Sequence, residues 1–330
     1  MNLLLFHRPE YDRLYNCSFI PTEEWCRMGI PRPAKGIIMS FLSVTFSVIY
    51  IPVLSIIANP KYVQNSCYKI MILLGFQDLV VLFTMGTYHA YTFVIGSVHC
   101  CTPTLSYFCG CLLGGLWSSQ GTTCAILTLN RVVDLADCKM LKEVFHGWRI
   151  LIWIFPVVSS FLFFFLFPAP VVTSTIVETG TYDPYFPIED PRIPKHSFSE
   201  YGNTAAIIQN VTMLAVLTIL YLLLIAVLYW KSKSSGLKTV QRAKITVVIQ
   251  SCVVCGVVYL TVIFFFFMPA GWGFLTTFLY QCVAGSGGVI CLCCNREIRK
   301  DFRNLVMRCR VWRRRVVTVS AVTNSGSVMG

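Results

Sequence analysis

Charge is what this 330-residue chain has least of. Only 13% of its residues are Asp, Glu, Lys or Arg, against roughly 25% in a typical soluble domain. With 55% hydrophobic residues and a mean hydropathy of +0.66, the chain cannot clothe its core in polar surface. That excludes water as the solvent on every side and calls for lipid. Acids are scarcer than bases, 15 against 27. The chain has no HExxH and no pair of intramembrane aspartates, and its five histidines are scattered. "AGSGG" around Ser286 resembles an intramembrane serine-protease motif only faintly, because Ala284 stands where that motif has glycine. The chain is therefore expected not to be an enzyme, and no cofactor or metal is expected. It shows no internal repeat, which counts against a transporter. Most of the 16 cysteines lie in apolar runs, where a thiol behaves as a small hydrophobe.

What is abundant is apolar runs of bilayer length, about 20 residues each. They fall near 36–58, 70–93, 104–131, 150–168, 205–230, 245–268 and 274–294. The expectation is an all-α membrane protein, a seven-transmembrane helix bundle with its termini on opposite sides. Lys and Arg avoid translocated loops. One side collects 20 of them and the other 7, so the N-terminus is expected outside. Arg32 and Lys35 oppose that assignment locally, because they abut the outer end of the first run. The parts are then an extracellular segment 1–35, the bundle 36–294, a cytoplasmic amphipathic basic helix 295–314 and a disordered tail 315–330. In the tail helix Ile298, Phe302, Leu305, Val306, Cys309 and Trp312 recur on one face and basic residues fill the other. That suits an anionic leaflet, and the bilayer, not nucleic acid, is the partner expected for the basic surplus. Cys293, Cys294 and Cys309 are candidates for lipidation. Asn16 opens a glycosylation sequon, Asn16-Cys17-Ser18. A second sequon at Asn210 lies in the fifth run and should be inaccessible. The start of the 4–5 loop, "VVTSTIVET", has strand-like composition; a short hairpin lid and an irregular loop both fit it.

Asp78 is the one charge deep inside a run. It lies about 18 Å from the cytoplasmic end of its helix, and Gln120 about 16 Å from the same side of the third, at 1.5 Å per residue. A buried carboxylate needs a partner, so a polar cluster of Asp78, Gln120 and Ser119 or Ser286 is expected. Gly285, Gly287 and Gly288 in the seventh run supply either a flexible point or close helix packing.

The strings "YNCSFIPTEEW", "NPKYVQNSCYKIMILLGFQDL", "LTLNR" and "NREIR" resemble the serpentine receptor class T family, a nematode group of chemosensory receptors. The resemblance runs from about Tyr15 to Arg303. It implies a plasma-membrane receptor, in sensory cilia, that senses small chemicals and signals through a heterotrimeric G protein. It also implies that Arg131, beside Asn130, contacts that G protein; the simpler reading is an arginine snorkelling into headgroups. The usual acidic neighbour is absent, as are the seventh-span proline and tyrosine and the sixth-span tryptophan and proline. Receptors of this shape bind ligand in the outer half of the bundle, where Tyr88, His89, Tyr91, Tyr107, Phe278 and Tyr280 lie. They commonly tie the top of the third span to the 4–5 loop by a disulfide. Here that loop has no cysteine, and Cys17, Cys26, Cys100 and Cys101 are the outer ones. A bond from Cys17 or Cys26 to Cys100 or Cys101 is expected, with the connectivity open. In rhodopsin-like receptors the aspartate resembling Asp78 helps hold sodium or water, but glycines and Ser286 replace the seventh-span asparagine. The alternatives are an ion channel or transporter, or a receptor-like protein without G-protein signalling.

Overall fold

The computed structural model describes residues 1–194, 200–235, 256–267 and 272–307. Three short helices come first: α1 (Asn2–Phe6), α2 (Arg8–Leu14) and α3 (Thr22–Met28). The bundle follows. Its first helix is α4 (Pro33–Ile57), opened by a proline in the first turn, where the missing N–H is no loss. Two short caps build the next corner. Asn59 accepts from the Lys61 amide at 3.2 Å and starts α5 (Pro60–Val63). Asn65 accepts from the Cys67 amide at 3.0 Å and starts α6 (Ser66–Thr84). Side-chain capping of otherwise orphaned amides is why these asparagines mark helix starts. A π turn, Met85–His89, joins α6 to α7 (Ala90–Ile95), and the three make one 30-residue span.

The third bundle helix is α8 (Pro103–Ala136). At 34 residues it reaches roughly 50 Å. It is more polar than its neighbours, and five other helices among the described residues are long and apolar enough to cross a membrane. The difference has a physical cause. α8 runs through the middle of the bundle and meets protein where its neighbours meet lipid. Its Ser118, Ser119 and Thr123 are fully buried. Gly115 lets Phe161 approach to where a Cβ would be 3.0 Å from the ring, and Gly121 does the same for Met213.

After a short helix α9 (Lys139–Phe145) come α10 (Leu151–Leu166), which packs on α8, and the 4–5 connection. That connection forms an antiparallel hairpin, β1 (Val172–Ser174) with β2 (Thr179–Thr181), with Thr173 opposite Gly180. The chain continues through α11 (Thr204–Ser235), α12 (Gly256–Phe267) and α13 (Gly273–Cys294). A final helix, α14, covers 296–307. Among the described residues the bundle is seven helices: α4, α6–α7, α8, α10, α11, α12 and α13. The first part of the sixth predicted span, the tail beyond 307 and Cys309 lie outside the described residues.

The glycines of α13 serve close packing. The helix is unbroken from Gly273 to Cys294. Gly285 faces Phe46, and a Cβ at Gly288 would come 2.9 Å from the Tyr50 ring. Just after α13, Asn295 caps α14, accepting from the Glu297 and Ile298 amides at 3.0 and 3.2 Å. Ile298 is fully buried, and Tyr62 donates to Asp301 at 2.7 Å, which seats α14 against α5.

Candidate functional site

The N-terminal helices form a cap over one end of the bundle. Cys17 is bonded to Cys100 and Cys26 to Cys101. Beneath the straps lies an aromatic core. Tyr15 meets Tyr107 edge to face at 4.9 Å, and Trp25 stacks on Tyr185 at 6.2 Å. Tyr201 donates to the Leu14 carbonyl at 2.7 Å, and Tyr185 to the Asn16 carbonyl at 2.8 Å. The cap thus holds the 4–5 loop by hydrogen bonds and itself by disulfides. Asn16 is half-buried, its side chain turned onto the Ser18 amide at 2.9 Å.

The hairpin lies beside the cap. Its turn residue Glu178 is buried and adopts φ 60°, a strained conformation for a residue with a side chain. Two cations hold it there: Arg32 Nε lies 3.1 Å from Glu178 Oε1, and Lys35 pairs with Oε2. The two charges that oppose the sequence-based orientation are therefore bound to an internal carboxylate. Thr173 Oγ1 and His89 Nε2 share a hydrogen bond of 2.9 Å, which ties β1 to the π turn.

Under the hairpin is a cavity of about 150 Å³. Val171, Gly180 and Tyr182 close it above, and Trp117, Asn210 and Tyr280 lie on its wall. The π turn contributes Met85 and His89; π turns inside α-helices recur at functional sites. Of the six aromatics named from sequence as ligand contacts, His89 and Tyr280 reach this cavity. The other four do not line it. Tyr88 is half-buried against Thr102 at 3.3 Å. Tyr91 is 57% exposed on the outer surface. Tyr107 is buried in the cap core, and Phe278 packs on Phe274. Level in the bundle picks these residues out of the sequence but does not say which way each side chain faces, and the N-terminal helices bury Tyr107.

From the cavity a chain of side chains leads toward the other end. Trp117 Nε1 donates to Asn210 Oδ1 at 2.8 Å. The Trp117 and Tyr280 rings meet edge to face at 5.0 Å. Tyr280 donates to Gln120 Oε1 at 3.2 Å, and Gln120 Nε2 to Asp78 Oδ1 at 2.6 Å. Tyr50 donates to Asp78 Oδ2 at 2.6 Å. Both carboxyl oxygens of a 4%-exposed aspartate are thus satisfied directly. Asp78 and Gln120 stand together without an intervening water. Ser119 and Ser286 do not join them: each hydroxyl bonds its own helix, to the Leu116 and Val283 carbonyls at 3.1 and 2.7 Å. A serine near the cluster in sequence satisfies itself this way at little cost. The sequence reading missed Tyr50, Tyr280's place in the cluster, and Gln281, whose Nε2 bonds the Met39 carbonyl at 2.6 Å. The pair of glycines facing Tyr50 is a signal that a large side chain must lie opposite.

A second cavity, about 80 Å³, begins at Asp78 and Gln120 and extends to Ser286 and Arg131. Arg131 is half-buried on its wall and has no ion pair among the described residues. Asn130 is buried and donates to Ser66 at 2.9 Å, which fixes α8 to the start of α6. The two neighbours therefore have separate roles.

A bundle whose central helix links a lidded cavity at one end to an arginine-walled cavity at the other defines a class, the multi-pass serpentine membrane receptors. The chain belongs to the family described as serpentine type 7TM GPCR chemoreceptor Srt, which it matches over residues 1–315. It is similar to Serpentine receptor class T-55 of Caenorhabditis elegans, at 23% identity over 320 residues, covering 94% of this chain and 85% of that one.

Proposed function

We propose that the chain is a chemosensory receptor of the plasma membrane, with the cap outside the cell. It binds a small chemical in the lidded cavity and passes the event to a heterotrimeric G protein at the Arg131 end. The observation that carries this reading is the chain of contacts from Asn210 through Trp117, Tyr280 and Gln120 to Asp78. A ligand that displaces Asn210 or Tyr280 has to rearrange the Gln120–Asp78 bond, because packed polar networks move between discrete arrangements. That bond borders the cavity where Arg131 lies. In this reading Arg131 is the G-protein contact and Asn130 positions its helix. No acid restrains Arg131 among the described residues, so basal activity should be measurable.

The orientation is supported by the basic residues, 20 against 7, once Arg32 and Lys35 are counted as paired to Glu178. It is supported as well by two disulfides at the cap, which persist in an oxidising compartment. Glycosylation at Asn16, lipidation at Cys309 and residence in sensory cilia follow the same reading. The test is expression with a promiscuous G protein and a chemical screen. A tag before Tyr11 should stain intact cells, and one after Gly330 should need permeabilisation. Arg131→Ala should abolish signalling at unchanged surface level. A mutant that responds normally removes Arg131 from the G-protein interface.

A further inference from the structure

We propose that the cavity beneath the hairpin takes an uncharged molecule of about benzene size that carries a hydrogen-bonding oxygen, and that it rejects amines and carboxylates. This rests on reading that cavity as the ligand site.

The argument is one of charge, size and unmet hydrogen bonds. Among the described residues the wall holds no Asp, Glu, Lys or Arg. The ions at the hairpin turn, Arg32, Lys35 and Glu178, are paired with one another. A ligand ion would enter without a counterion, and burying an unpaired charge is strongly unfavourable. The one imidazole on the wall has its Nε2 engaged by Thr173. Size sets the second limit. A cavity of about 150 Å³ is in the range that holds a benzene ring.

The wall is nonetheless not dry. Thr276 and Thr277 are each 7% exposed and line the cavity, and neither hydroxyl has a hydrogen-bond partner among the described residues. Gln209, Thr179 and Tyr182 also line it without a side-chain hydrogen bond among the described residues, whereas several other polar groups on the wall are already engaged. Asn203 donates to the Ala169 carbonyl at 2.9 Å and accepts from the Ala206 amide at 2.8 Å. Thr261 bonds its own helix at Val257, 2.8 Å away. Asn210 gives its Oδ1 to Trp117 and keeps its Nδ2 hydrogens for the cavity. Two hydroxyls and an amide N–H therefore wait on an apolar wall. Buried groups of this kind are normally satisfied, and a neutral oxygen such as that of an alcohol, ketone or ester satisfies them without bringing charge.

The test uses the full chain in phosphatidylcholine nanodiscs, with toluene, benzyl alcohol, benzylammonium and benzoate as probes near neutral pH. Binding is read by saturation-transfer NMR, with empty discs subtracted. Gly114→Phe serves as the plug: a Cβ at Gly114 would have a single neighbour, the Phe164 carbonyl oxygen at 3.9 Å. Gly114→Val is the milder version should the larger residue impair folding. Benzyl alcohol should bind about tenfold or more tighter than either ion, and the plug should abolish that binding. Thr276→Val with Thr277→Val should weaken benzyl alcohol by about tenfold while toluene changes by less than about twofold. Plug-sensitive binding of an ion within about threefold of benzyl alcohol overturns the proposal. So does the absence of plug-sensitive binding by both neutral probes. A cell assay that stays silent while neutral probes bind the purified chain counts against the G-protein reading and leaves the ligand class standing.

Discussion

Replacing Tyr50 by phenylalanine removes one oxygen from the centre of the bundle and little else. The ring is 3% exposed and lies against Gly287 and Gly288, so Phe keeps its packing. The lost atom is the donor to Asp78 Oδ2 at 2.6 Å. Asp78 is itself only 4% exposed, and its other oxygen is engaged by Gln120. No replacement donor faces Oδ2 among the described hydrogen bonds. A hydrogen bond to a charged group contributes about 1.5–3 kcal/mol net, and a buried acceptor left without a partner costs about 1–3 kcal/mol. Tyr50→Phe should therefore destabilise the bundle by about 2 kcal/mol. The measurement is SDS-induced unfolding in mixed micelles, followed by the helical circular dichroism signal. Asp78→Asn completes a double-mutant cycle, because the two residues act on one bond and their effects should not add. A Tyr50→Phe change under about 0.5 kcal/mol, or effects that add within that error, would refute the pairing and with it the cluster described around Asp78.

Three further outcomes follow from the cap. Removing either disulfide alone, by Cys17→Ser or Cys26→Ser, should cost about 3 kcal/mol, since the remaining bond already closes the long loop and leaves a short one; non-reducing peptide mapping that finds four free thiols sinks this. Burial holds His99 neutral, lowering its pKa from the ordinary 6.5 to about 3. The unfolded chain then takes up more protons below pH 6.5, so the cap should lose roughly 2 kcal/mol on going from about pH 7 to about pH 5. His99→Phe should flatten that slope, and an unchanged slope in the mutant rules the assignment out. Glu178→Gln leaves Arg32 and Lys35 without their counterion, and the hairpin amides should exchange with deuterium several-fold faster, a modest effect because both cations are partly exposed. Equal exchange in mutant and parent would show that the ion triad does not secure the hairpin.

The apolar runs read as spans because lipid-facing surface cannot be disguised in sequence, and α8 reads as one through the same run although its buried face is polar. Asp78 and Gln120 were legible through depth alone: two polar groups at one level on antiparallel helices have each other as the nearest solution. Tyr50 was not, because a tyrosine in an apolar helix also suits a membrane interface. Its signal lay across the bundle, in the glycines at 287 and 288. The hairpin was half legible from "VVTSTIVET", whose β-branched residues suit a strand but do not set its partner. The π turn at Met85–His89 left no sequence mark. Level in the bundle picks out Tyr88 and Tyr91 but does not say which way a side chain faces, and Tyr107 is legible as an outer residue but not as part of the cap. Its burial depends on α1–α3, whose docking is decided by long-range disulfides rather than by local periodicity.

The cap changes how the cavity beneath the hairpin is enclosed. In a receptor whose 4–5 loop is bonded covalently to the third helix, the loop's position is fixed and entry must go around it. Here the covalent bonds run from Cys17 and Cys26 to the residues just before α8, and the loop has no cysteine. The loop is held by Tyr185 and Tyr201 on cap carbonyls, by Arg192 on Glu24, and by Glu178 on Arg32 and Lys35. Each of these is a non-covalent contact, and the exposed ion pairs among them are weak, so they can be released one at a time. The hairpin is therefore held to its neighbours without a covalent bond, whereas the straps tie the cap to the residues just before α8. That division sets a covalently tied cap beside a loop held by packing and polar contacts alone, with Tyr185 and Tyr201 of the loop sharing one aromatic core with Tyr15 and Tyr107.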